Sequence, residues 1–138
     1  MWRWITSLLV QDGGVLGTAS NLIFLGLLGA VAEQVVGRTT MLVCYLIAGL
    51  AGQVAGVFWQ PIGAGNSVAV CGLAGLVAWS LRRERMPGWA GARPALRTVG
   101  AVAASGAVAG VLIAVANIHG LALAVGTLVG AVAARGYR

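Results

Sequence analysis

Five stretches of this chain, roughly 18–36, 40–59, 66–81, 98–115 and 117–134, hold no Lys or Arg, and Glu33 is their one acidic residue. An α-helix rises about 1.5 Å per residue, so about 20 apolar residues cross the hydrocarbon core of a bilayer, with about 17 as the short limit. The runs therefore predict an all-α fold, a polytopic membrane helix bundle of about five transmembrane helices. The run at 66–81 falls short of a full crossing. One domain over 1–138 is expected, with 1–17 as an interfacial segment ahead of the first helix.

Composition supports lipid as the solvent. Of the 138 residues 59% are hydrophobic and 9% are charged, against about a quarter charged in a soluble domain. Such a chain cannot cover its surface with polar side chains. Its 22 glycines suit a bilayer, where small residues let helix backbones approach closely. The net charge of +6 raises the question of nucleic acid, and the placement of the charge excludes it. Every basic residue is Arg, and most fall in short gaps between apolar runs. That pattern belongs to membrane orientation rather than to a phosphate-binding face. Cys44 and Cys71 lie inside apolar runs and read as small buried hydrophobes, with no metal site expected. The N-terminus does not read as a signal peptide: Ile5 to Val10 is short, contains Thr6 and Ser7, and runs into Gln11-Asp12-Gly13-Gly14. With Trp2 and Trp4 it reads as interfacial.

The breaks set the topology. Gly37-Arg38-Thr39 is a tight polar turn, Gln60-Pro61-Ile62-Gly63 stops the second helix, and a basic loop runs from Arg82 to Arg97. The connection near Ala116-Asn117 is the least marked. Arg38, Arg82, Arg83, Arg85, Arg93, Arg97, Arg135 and Arg138 fall on one side of the expected membrane, and Arg3 on the other. The positive-inside rule then puts the C-terminus in the cytoplasm and the N-terminus outside. An integral, multi-pass protein is expected. The Arg-only, Ala/Gly/Val-rich composition points to a GC-rich bacterium and its plasma membrane.

Polar groups at membrane depth are functional candidates: Asn21, Glu33, Gln53, Asn66, Ser67, Ser105, Asn117 and His119. Glu33 lies near Arg38 and Ser105 in an Ala/Gly run, and both read as structural. Three others share a depth. Asn21 precedes Arg38 by 17 residues, Ser67 precedes Arg82 by 15, and His119 precedes Arg135 by 16. At 1.5 Å each, they lie about 22 to 26 Å from the cytoplasmic boundary. Ser67 heads a stripe through Cys71, Ala74 and Gly75, and His119 heads one through Ala122, Gly126 and Gly130. Gly72, Gly75, Gly126 and Gly130 are the expected packing glycines. Such stripes can pack closely enough to bring Ser67 to His119. A neutral imidazole beside a serine is the minimum for an activated nucleophile. No carboxylate is placed to orient the His, so the expectation is a dyad, with Asn21 able to donate to an oxyanion.

These residues resemble the rhomboid family of intramembrane serine proteases over nearly the whole chain. Trp2-Arg3 resembles the Trp-Arg motif of that family's first, membrane-dipping loop. Asn21, Gly29, Glu33, Gly37, Tyr45, Gly49 and Gly52 resemble the landmarks of its second and third helices. Gly65-Asn66-Ser67, followed by Cys71-Gly72-Leu73-Ala74-Gly75, resembles its Gly-x-Ser-Gly motif and the glycines beyond it. His119 with Gly126 resembles its last helix. The resemblance implies Ser67 as nucleophile and His119 as general base, with Asn21 and the Ser67 backbone N–H holding the oxyanion. It implies cleavage of membrane-anchored proteins in or near their transmembrane segments, with no metal or cofactor.

Three departures accompany the resemblance. The chain opens within the first loop, so the family's first helix is expected to be missing, in keeping with an external N-terminus. Gly17 replaces the His of the family's His-x-x-x-Asn motif. Val68 replaces the last Gly of Gly-x-Ser-Gly, placing a branched side chain beside the nucleophile. Loss of one oxyanion donor commonly costs about 100- to 1000-fold in turnover. The alternative is therefore a rhomboid pseudoprotease that binds transmembrane segments without cutting them. A small transporter is disfavoured, because Asp12 and Glu84 lie in loops and Glu33 near an interface.

Overall fold

The computed structural model describes residues 6–9, 14–60, 65–80 and 94–136. These residues form one short 3-10 turn, Ser7–Leu9, and five α-helices, with no strand among them. The helices are α1 (Gly14–Val36), α2 (Arg38–Trp59), α3 (Ser67–Ser80), α4 (Pro94–Ala114) and α5 (Ile118–Gly136). Each corresponds to one apolar run. By length and composition α1 and α2 can each cross a membrane, while α3 and the 118–133 stretch of α5 are shorter apolar helices. Trp2-Arg3, Pro61 to Gly63, Arg82 to Arg93 and Arg138 lie outside the described residues.

The boundaries differ from expectation for local reasons. Helix α1 begins four residues early, at Gly14, whose φ of 62° marks the break. Residues 14–17, expected in the interfacial segment, thus belong to the first helix. Helix α4 begins at Pro94, where a proline suits the first helical position because its missing N–H has no acceptor there anyway. Between α1 and α2 a single residue makes the turn. Gly37 donates its N–H to Glu33 O at 2.9 Å and accepts from Met41 N at 3.1 Å. Its φ of 81° is open to glycine and costly for a residue with a Cβ.

The core shows how the helices run. One buried cluster joins Ala32 and Val36, late in α1, to Cys44, early in α2, and to Leu73, Leu76 and Val77 of α3. A second joins Ala48 and Ala55 of α2 to Val68, early in α3, and to Ile118 and Ala122, early in α5. Late α1 therefore meets late α3, and early α3 meets early α5, while α2 runs the other way. Helices α1, α3 and α5 are parallel, so Asn21, Ser67 and His119 lie towards the same end of the bundle. Helix α3 is the central one, and ten of its residues are buried.

The α3–α5 seam is built from glycine. A Cβ on Gly126 would collide with the carbonyl oxygen of Gly72 and lie 2.6 Å from its carbon. One on Gly75 would collide with Leu123 O and lie 2.8 Å from Thr127 N. One on Gly130 would sit 3.0 Å from Trp79 Cβ and 3.1 Å from Leu76 O. All four glycines singled out from the sequence lie on this seam, or on its flank against Ala48 in the case of Gly72. With no side chain between them the two backbones touch.

Candidate active site

Ser67 is the first residue of α3. It follows Gly65, whose φ of 150° lies where a Cβ is poorly tolerated, so this glycine lets the chain turn sharply into the helix. The first helical hydrogen bond runs from Val70 N to Asn66 O at 2.9 Å. The N–H groups of Ser67, Val68 and Ala69 precede it. These are the donors that a helix leaves without an internal acceptor, at the end where its dipole is positive.

His119 is the second residue of α5. Close packing of α3 on α5 sets its ring Nε2 3.0 Å from Ser67 Oγ. Both residues are half-buried. The other ring nitrogen, Nδ1, lies 2.9 Å from Asn117 Oδ1. The same oxygen accepts the backbone N–H of His119 at 3.0 Å. Asn117 thus caps α5 and also touches the imidazole. The residue was visible in the sequence as a polar group in an apolar run, but not as a partner of the histidine. An Asn two positions before a His at a helix start is the signal that could have found it.

Two further features hold this corner. The α4–α5 turn closes with Asn117 N donating to Leu112 O at 2.7 Å and Ala116 N donating to Ile113 O at 2.9 Å. This is the Schellman pattern, which calls for a left-handed residue between helix and exit. Ala116 fills that position at φ 54°. Across the bundle Gln60, just past α2, accepts the Ile118 N–H on its Oε1 at 3.4 Å. The start of α5 is thereby tied to the end of α2.

A family model described as Rhomboid domain matches residues 1–137. The chain belongs to the rhomboid family. No curated protein and no solved structure matches it significantly. Rhomboids are integral to membranes, are generally serine proteases, and act on membrane-protein substrates within the bilayer.

The remaining residues of the rhomboid pattern are placed as follows. Asn21 is half-buried on α1, one turn after Gly17, on the stripe that continues through Leu25 and Leu28 to the core. Gly17 is half-buried on the same face. Val68 departs from what its position suggested. It is 1% exposed, and its side chain takes up the space that a Cβ on Gly52 would need. The branched side chain beside the nucleophile is a core residue between α2 and α5 rather than an obstruction over the serine. Asn66 is also buried, and its Oδ1 has no hydrogen-bond partner among the described residues.

Proposed function

We propose that this rhomboid is an intramembrane serine protease that cleaves membrane-anchored proteins in or near their transmembrane segments. The observation that carries the reading is the 3.0 Å approach of Ser67 Oγ to His119 Nε2, which lies within the reach a base needs to take a proton from its nucleophile. Ser67 Oγ attacks the scissile carbonyl carbon while its proton passes to Nε2. The imidazolium then gives that proton to the leaving amine as the C–N bond breaks. Water, deprotonated by the same imidazole, hydrolyses the acyl-enzyme and frees Ser67. The negative charge of each tetrahedral intermediate falls to the Ser67 N–H at the start of α3 and to the Asn21 side chain.

The chain crosses the bilayer with its helices α1, α3 and α5 running inward, N-terminus outside and C-terminus in the cytoplasm of a bacterium. The arginine distribution supports this orientation. Transmembrane segments of other proteins and the lipid itself are the partners.

A second reading, a pseudoprotease that holds transmembrane segments without cutting them, is favoured by one observation. Gly17 stands where the family resemblance expects a histidine one turn before Asn21. Labelling by a fluorophosphonate probe in proteoliposomes separates the two. A protease labels at Ser67 and loses the label in Ser67→Ala. A chain that captures transmembrane segments but takes no label and cuts nothing is a pseudoprotease.

A further inference from the structure

The Asn117 side chain does more than start a helix. A cap needs one acceptor, and the backbone N–H of His119 already satisfies that need at 3.0 Å. The ring nitrogen Nδ1 approaches the same atom at 2.9 Å. The identity of that atom follows from chemistry. A backbone N–H can only donate, so the Asn117 atom facing it is the carbonyl oxygen and not the amide nitrogen. An oxygen with two lone pairs can accept from two donors. The Nδ1 beside it must then carry a proton, because two acceptors at that distance would repel. In a neutral imidazole a proton on Nδ1 leaves Nε2 bare. A bare Nε2 accepts from Ser67 O–H, which is the direction a general base requires.

We propose that Asn117 is a positioning residue that fixes His119 in the Nδ1–H form and so turns the Nε2 lone pair towards Ser67. The role rests on reading Ser67 and His119 as nucleophile and base. It extends a two-residue arrangement into a chain of three, Ser67–His119–Asn117, with an amide in the place where many serine hydrolases hold a carboxylate. The amide suits a half-buried membrane site, since it orients the ring without bringing a charge into lipid. It also ties the tautomer to the fold. Asn117 enters its position through the tight α4–α5 turn, and Gln60 holds the next residue, Ile118, from the far side.

The test uses the only histidine in the chain. The 138-residue chain is labelled with 15N-histidine, placed in lipid nanodiscs, and its single imidazole is read by NMR in its neutral form. The parent should show a protonated Nδ1 and a bare Nε2. Asn117→Asp retains the acceptor and should retain that form. Asn117→Leu removes it and should move most of the population to Nε2–H. Cleavage in proteoliposomes should then fall by roughly 100-fold in kcat with KM little changed, and Asn117→Asp should recover most of it. A parent with its proton on Nε2 overturns the proposal, as does an Asn117→Leu protein that keeps Nδ1–H. If Asn117→Leu does not fold, the parent and Asn117→Asp spectra still decide. A parent that shows Nδ1–H but neither labels nor cleaves supports the positioning role and defeats the protease reading instead.

Discussion

Gly72 and Gly126 meet backbone to backbone, so that a side chain on Gly126 would have to occupy the place of the Gly72 carbonyl. With Gly75, which meets the backbone of Leu123 and Thr127, this contact holds α3 close to α5. Ser67 lies five residues before Gly72, and His119 lies seven before Gly126. The contact two turns below the site therefore controls the distance at the site.

Replacing Gly126 tests this control. Gly126→Ala should cost about 1–3 kcal/mol through overpacking, and Gly126→Leu should cost more and abolish cleavage. Gly106 and Gly110 in α4 have open space where a Cβ would go, so alanine at either should stay within about 1 kcal/mol of the parent. Thermal unfolding in detergent measures both. Equal stability of Gly126→Leu and Gly110→Ala would falsify the close-contact claim.

The catalytic pair should behave as one unit. Ser67→Ala and His119→Ala should each abolish cleavage of a membrane-anchored substrate, with nearly equal losses. The double variant should be no worse than either single one, because a base has nothing to do without its nucleophile. The assay is cleavage in proteoliposomes at equal amounts of folded protein. Undiminished cleavage by Ser67→Ala removes the protease reading.

Oxyanion support should be adjustable at α1. Asn21→Ala should lower turnover by less than either member of the pair, since it takes away a supporting donor only. Gly17→His should raise turnover, because position 17 lies one turn before Asn21 on the same half-buried face. The two variants are compared by kcat. A fall in Gly17→His would show that the position does not face the reacting carbonyl.

Val68→Gly separates what the sequence suggested from what the packing shows. From sequence alone the change looks like relief for a crowded nucleophile. In the structure it empties a buried site against Gly52, Ile118 and Ala122. It also adds a glycine to the first turn of α3. The expected result is a loss of roughly 2 kcal/mol or more in stability and lower cleavage. Rising turnover at unchanged stability would restore the crowding view.

Ala116 offers a change in the opposite direction. Its φ of 54° costs a residue with a Cβ about 1–2 kcal/mol, and glycine adopts it freely. Ala116→Gly should stabilise the protein by about 0.5–1 kcal/mol after the added freedom of the unfolded chain is counted. A raised unfolding temperature with unchanged cleavage is the expected outcome.

Much of this was legible in the sequence because a bilayer constrains a chain so strongly. Apolar runs located each of the five described α-helices. Counting back from the arginines gives Asn21, Ser67 and His119 one expected depth, and α1, α3 and α5 run parallel. The small-residue stripes named the glycines of the seam. Two things were not legible. Asn117 looked like one more polar residue in a run of Ala and Val, since a cap and a ring contact through one oxygen leave no periodic trace. The turn that presents it was obscured for a related reason, as its left-handed position holds Ala116 where glycine would have announced it. Val68 was misread because position along the chain says which residue is next to Ser67 but not which way a helix turns it.

Over its described length, Ser67–Ser80, α3 has ten buried residues, so protein rather than lipid surrounds it, while α1 and α2, at 23 and 22 residues, are the longer walls. Val68, next to Ser67, packs level with Gly52, and Gly52 lies seven residues before the end of α2 at Trp59. At about 1.5 Å per residue the start of α3 is therefore sunk about 10 Å below that end of α2. Under the proposed function a scissile bond must descend into that well to reach Ser67.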